Sequence, residues 1–202
     1  MMARHTFEAY GRRAREYADL LGSISATAAQ DRALIETWAR ATDGPVLDVG
    51  CGPGHWTAWL HELGVDVEGI DPVQEFVDIA AHRHPDCVYR QGTAEALGVP
   101  SASLGGALVW YSLIHTEPSG LPVALAELAS CIRPGGGLLL GFFEGSVVEP
   151  FGHTVATAFT WPIADLARLL DDAGFIVEQA HARTDAGARP HGAIVATRAA
   201  GA

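Results

Sequence analysis

The stretch Pro45-Val46-Leu47-Asp48-Val49-Gly50-Cys51-Gly52-Pro53-Gly54-His55-Trp56 constrains this chain more than any other. Pro45 to Val49 reads as a short buried strand, apolar on both sides of Asp48. Gly50, Gly52 and Gly54 make a turn in which the backbone can take positive φ and a ligand can come close. A helical stripe of Trp56, Trp59, Leu60 and Leu63 follows. Strand, glycine turn and helix form the unit at which an open parallel sheet binds a nucleotide-like ligand.

The spacing narrows that ligand. A dinucleotide fingerprint reads G-x-G-x-x-G, whereas these glycines read G-x-G-x-G after an aspartate. A second apolar run, Val67-Glu68-Gly69-Ile70-Asp71, ends in an acid that follows Gly50 by 21 residues. A carboxylate there can accept hydrogen bonds from both hydroxyls of a ribose. Together the two runs ask for an adenosine-bearing ligand without a pyrophosphate.

Strands and helices alternate along the rest of the chain. Strands are expected at Pro45–Gly50, Asp66–Asp71, Cys87–Gln91, Gly105–Tyr111 and Gly137–Phe143, and helices at His55–Leu63, Val73–Arg83 and Leu121–Ile132. Such alternation predicts a parallel sheet with helices on both faces. Before it, Phe7, Tyr10, Ala14, Tyr17, Leu20 and Leu21 recur at helical spacing, and Ala28–Ala41 reads as a second helix. After it, Glu144–Trp161 reads as irregular, Pro162–Ala173 as a helix capped by Gly174, and Phe175–His181 and Gly192–Thr197 as two last strands.

The ordered runs VLDVGCGPG, GIDP, QGTAEAL, WYSLIH and IRPGGGLLL resemble the class I S-adenosylmethionine-dependent methyltransferases, from about Pro45 to Phe143. The resemblance implies an α/β fold: a Rossmann-like, doubly wound, mostly parallel seven-stranded sheet with an antiparallel last strand and N-terminal lid helices. It implies one methyltransferase domain over 1–202, divided into lid helices (1–44), cofactor-binding core (45–143), substrate-covering insertion (144–161) and C-terminal helix with edge hairpin (162–202). The implied cofactor is S-adenosyl-L-methionine, with S-adenosyl-L-homocysteine as product. Asp48 then approaches its methionine end, Gly50, Cys51, Gly52 and Gly54 form the turn around it, and Trp56 packs on the methionine arm or in the core. Asp71, followed by Pro72, holds the ribose. Thr93, Ala94 and Glu95 match the adenine segment, where Thr93 departs from the acid common in the family. Trp110 and Tyr111, after the fourth strand, and Tyr17 of the lid complete the expected cofactor wall; for Tyr17 core packing is the equal alternative.

His115 is the main candidate base, because the end of the fourth strand faces the acceptor and an imidazole titrates near neutral pH. A structural role stands beside that reading. His153, in the insertion, is the second candidate. Arg189 and His191 flank Pro190 and offer a site for an acidic substrate group or a plain surface loop. The loop from Ala182 to Pro190 is a second candidate wall. A small-molecule acceptor is expected, most simply at oxygen, with nitrogen, sulfur and carbon open. The rival from another class is a relative that binds the cofactor or a partner without catalysis.

Composition excludes much else. All 13 basic residues are arginine, so the chain has no Walker lysine and no Schiff-base lysine. The net charge of −11 weighs against a nucleic-acid partner. His82 and His84 lack acidic partners at ligand spacing, so no metal is expected. Three scattered cysteines fit a reducing cytoplasm. No apolar run suggests a signal or a membrane span, and the chain is expected to work as a monomer or homodimer.

Overall fold

The computed structural model describes residues 2–153 and 156–200. Two helices, α1 (Met2–Leu21) and α2 (Ala29–Ala41), precede the sheet, separated by a 3-10 turn at Ile24–Ala26. The core then runs β1 (Val46–Val49), α3 (His55–Glu62), β2 (Val67–Asp71), α4 (Gln74–Arg83), β3 (Val88–Gln91), β4 (Leu104–Trp110), α5 (Leu121–Cys131) and β5 (Ile132–Glu144). A hairpin of β6 (Glu149–Gly152) and β7 (Thr157–Trp161) follows, then α6 (Ile163–Asp172), β8 (Phe175–Arg183) and β9 (His191–Arg198).

The strand order is β3-β2-β1-β4-β5 in parallel, with Val46 opposite both Val67 and Gly106. Antiparallel β9 lies between β5 and the edge strand β8. The expected strands are therefore present with the expected directions. The sheet has nine strands rather than seven, because part of the stretch read as irregular forms β6 and β7. β7 pairs in parallel with the last two residues of β5, Phe143 and Glu144. The long β5 thus carries β9 along its middle and β7 at its tip.

Alternation along the buried strands assigns the two faces. Leu47, Ala107, Val109, Leu138 and Leu140 pack with Leu125 and Leu128 of α5 and Leu166 and Leu170 of α6. Val46, Leu108 and Leu139 point the other way, onto Ile35 and Trp38 of α2 and Trp56 and Leu60 of α3. Both faces are covered, as a parallel sheet requires. Helix α1 sits apart from these layers. It packs Tyr10, Ala14 and Tyr17 on Val73 and Phe76, and Arg83 of α4 holds its C-terminal turn through Ala18 O (2.8 Å) and Asp19 (2.6 Å).

Candidate active site

The strand order reverses between β1 and β4, and a cavity of about 1100 Å³ opens at the C-terminal ends of these strands. Crevices at such switch points are where open α/β sheets take their ligands. The walls come from α1, the start of α2, the turn after β1, the ends of β2, β4 and β5, the segment after β3, the insertion and the loop between β8 and β9.

The turn after β1 is built by local necessity. Gly50, Gly52 and Gly54 have φ of 73°, 53° and 83°, a region costly for residues with a Cβ. The turn is pinned from β2: Gly50 N–H and Cys51 N–H both donate to Ile70 O (2.7 and 2.9 Å). Asp71 accepts from Gly52 N–H through Oδ2 and from Val73 N–H through Oδ1, each at 2.9 Å. One carboxylate therefore ties the glycine turn to the start of α4. Asp48, at the end of β1, accepts from the Thr57 hydroxyl at 2.6 Å.

Both acids are buried, and among the described residues neither makes an ion pair. Burial raises the Asp48 carboxyl to about 7, against the opposing hydrogen bond from Thr57. Burial likewise raises Asp71 to about 6, against its two backbone donors. A cationic ligand with hydroxyl donors is what such a pair lacks. Two further polar atoms nearby have no partner among the described residues: Ser112 Oγ, after β4, and His55 Nδ1, at the start of α3. Among the described residues, seven carboxylates and two arginines line the cavity.

The expected residues converge. Tyr17, Asp48, Gly50, Cys51, Gly52, Trp56, Asp71, Pro72, Thr93, Ala94, Glu95, Trp110, Tyr111, His115 and His153 all line the cavity. Gly54 does not. It faces the opposite way, where an added Cβ would meet Tyr89 Oη at 2.7 Å and Ala80 Cβ at 2.8 Å, and its carbonyl accepts from Tyr89 (3.1 Å). Its place is in the packing behind the turn. Arg189 is likewise absent from the wall; its guanidinium stacks 3.9 Å from the Phe151 ring centre, whereas its neighbour His191 does line the cavity.

His115 is held at both ring nitrogens. The Thr157 carbonyl, 2.6 Å from Nδ1, can only accept, so Nδ1 carries the proton. Nε2 then accepts from the Tyr10 hydroxyl at 2.8 Å. The imidazole links lid helix α1 to strand β7, and burial lowers its pKa from the ordinary value. His153 differs: its Nδ1 has no partner among the described residues, and burial, then His115 and Arg189, lower its pKa.

Several wall residues carry little or no signal in the sequence. Asp31 of α2 binds Arg183 (2.5 Å), which also binds Asp185 (2.8 Å), closing the far rim. The Ala182–Pro190 stretch did mark that wall, but Asp31 gave no signal, being one acid on an exposed-looking helix start. Tyr111 has φ of 56°, rare for a bulky residue, and its hydroxyl is hydrogen-bonded to His191 Nδ1. Ser112 could have been read as the small side chain that must face Gly50.

Comparison with known proteins agrees with this geometry. The family described as "Methyltransferase domain" matches residues 46–136. An uncharacterized methyltransferase of Mycobacterium tuberculosis is 37% identical over 93 residues, 46% of this chain and 37% of that protein. A malonyl-[acyl-carrier protein] O-methyltransferase of Serratia marcescens is 32% identical over 107 residues, 53% of this chain and 41% of that protein. The chain thus spans less than half the length of these two curated relatives. The crystal structure of Burkholderia thailandensis 1,6-didemethyltoxoflavin-N1-methyltransferase, with bound 1,6-didemethyltoxoflavin and S-adenosylhomocysteine, superposes with a TM-score of 0.80 at 20% identity, covering 98% of this chain and 89% of that one. Residues 46–136 thus match a methyltransferase domain, and the chain shares its fold with a methyltransferase crystallised with S-adenosylhomocysteine. No helix among the described residues is long and apolar enough to cross a membrane.

Proposed function

We propose that the chain transfers the methyl group of S-adenosylmethionine to an oxygen atom of a small-molecule acceptor. The observation that carries this reading is the convergence of the glycine turn, two unpaired buried acids and a ring-lined recess on one cavity. The cofactor supplies an electrophilic methyl carbon on a sulfonium. Asp71 is assigned to its ribose hydroxyls, Asp48 and the turn to its methionine end, and Thr93 to Glu95 to its adenine. The residues 1–44 form the lid and 144–161 the cover over the acceptor. Little covalent chemistry is required of the protein, so positioning and exclusion of water supply much of the rate. The chain is assigned to the cytoplasm, as a monomer or homodimer.

His153 is the better-placed proton acceptor, because both nitrogens of His115 are already engaged. His115 is a positioning residue that holds the lid against the cover. Nitrogen is the second reading, supported by the likeness, over 98% of this chain, to an N1-methyltransferase. Incubation with methyl-labelled S-adenosylmethionine and a panel of phenols, amines and carboxylic acids tests the proposal. A labelled methyl ether is the expected product; label on amines alone overturns the oxygen assignment. With an acceptor in hand, His153→Gln is expected to lower kcat at least about tenfold and to remove the acidic limb of its pH profile. An unchanged profile ends the role of His153 as base.

The acids give a second test. A folded-state pKa of about 6 for Asp71, above the ordinary carboxyl value, means that the ligand-free fold favours the protonated acid. That stabilisation is present below about pH 4 and is lost as pH rises through about 6. Ribose hydroxyls donate to the ionised form, so ligand binding runs the other way. Affinity for S-adenosylhomocysteine is expected to rise about tenfold from about pH 5 to about pH 7, and Asp71→Asn is expected to flatten that rise. Calorimetry that finds wild-type affinity constant across this range removes the carboxylate from the contacts.

A further inference from the structure

The half of the cavity beyond the glycine turn is walled by rings in mutual contact. Tyr10 meets His115 (5.4 Å between ring centres), His115 meets His153 (5.5 Å), His153 meets Phe143 (5.6 Å), and Phe143 meets Tyr111 (5.1 Å) and His191 (6.0 Å). These six side chains come from the lid, the ends of β4 and β5, the insertion and β9, so the ring wall is assembled by tertiary structure and not by one element. Most of the pairs meet edge to face, which leaves ring faces and edges free to take another ring in the same manner.

Charge in this half is spent internally. Of the two arginines on the cavity wall among the described residues, Arg183 is bound by Asp31 at 2.5 Å and by Asp185 at 2.8 Å, and Arg13 by Glu16 at 2.9 Å. Arg189 lies over Phe151, off the wall. Burial lowers the pKa of His115, His153 and His191, so the imidazoles are neutral at neutral pH. A carboxylate or phosphate on the acceptor would lose water here and, among the described residues on the wall, meet arginines that already hold carboxylates.

We infer that the acceptor is an uncharged, planar aromatic molecule carrying its reactive hydroxyl on one edge, and not an aliphatic or an acidic compound. The chain of rings from Tyr10 to His191 supplies the slot. The His153 and His191 imidazoles and the Tyr111 hydroxyl supply hydrogen-bonding groups at its edge. The inference rests on the methyl-transfer reading above and names the substrate class of that site.

The test uses full-length protein saturated with S-adenosylhomocysteine, titrated by calorimetry with 2-naphthol, decahydro-2-naphthol and 2-naphthoate. These probes separate ring planarity from charge at nearly constant size. The expected result is that 2-naphthol binds at least about tenfold more tightly than either of the others. Phe143→Ala is expected to weaken 2-naphthol at least about fivefold, with Phe143→Tyr restoring it. Equal or tighter binding of decahydro-2-naphthol or 2-naphthoate overturns the inference. So does binding of none of the three to protein that has taken up S-adenosylhomocysteine. Failure to take up S-adenosylhomocysteine at all is a different result and brings down the methyl-transfer reading itself.

Discussion

Replacing Asp71 by alanine is expected to lower the affinity for S-adenosylhomocysteine about a hundredfold, a loss of roughly 3 kcal/mol. The figure follows from what the side chain holds. Its two oxygens accept from Gly52 N–H and Val73 N–H, each at 2.9 Å, and the ribose is assigned to the same carboxylate. Removing it leaves two backbone donors at the cavity wall without partners and unties the glycine turn from the start of α4. Hydrogen bonds to a charged acceptor contribute about 1.5–3 kcal/mol each, part of which water recovers at a cavity wall. Asp71→Asn keeps the shape and one acceptor oxygen, so its loss is expected to be intermediate. An alanine variant that folds normally and keeps wild-type affinity, read by calorimetry, removes Asp71 from the site.

Gly50→Ala is expected to lower the melting temperature by about 10 °C, from a loss of about 3 kcal/mol. Gly50 has φ of 73°, and a Cβ there would stand 2.2 Å from Ser112 Cβ. That neighbour is the root of a side chain and cannot swing away. Relief requires moving either the turn or the Tyr111–Ser112 segment, which also lines the cavity. Gly64→Ala is the control: φ is 83°, but nothing lies within 4 Å of its added Cβ. It carries the backbone cost of about 1–2 kcal/mol without the collision. Melting curves that place Gly50→Ala within about 3 °C of Gly64→Ala would contradict the close approach of Gly50 and Ser112.

What the sequence displays and what it hides follow from the range of the forces involved. β1, its turn and Asp71 are legible because each is set by neighbours in the chain: an apolar run, glycines where φ is positive, an acid at a strand end. The hairpin β6–β7 is not. Glu149-Pro150-Phe151-Gly152 has little strand character, and its extended form depends on β7, which in turn depends on the tip of β5. Pro134-Gly135-Gly136 looks like a break before a strand, yet β5 already begins at Ile132, opposite Leu104, with a register shift that absorbs the irregularity.

The site divides in the same way. Most of the expected wall residues face one cavity because they sit at the C-terminal ends of parallel strands, which topology alone brings together. The exception, Gly54, shares the glycine pattern but serves the packing against Tyr89. Partnerships across long separations had no local signature. Tyr10 and His115 are 105 residues apart, Tyr111 and His191 are 80 apart, and Asp31 and Arg183 are 152 apart. The neutral imidazoles depend on burial by these partners, so the chemistry of the acceptor half could not be read before the fold was known.

The most direct test of the central claim is a calorimetric titration of the purified chain with S-adenosylhomocysteine, with NADH in parallel. Micromolar binding of S-adenosylhomocysteine at one site per chain, with no binding of NADH, is the expected result. Binding of NADH, or folded protein that takes up neither, would contradict it.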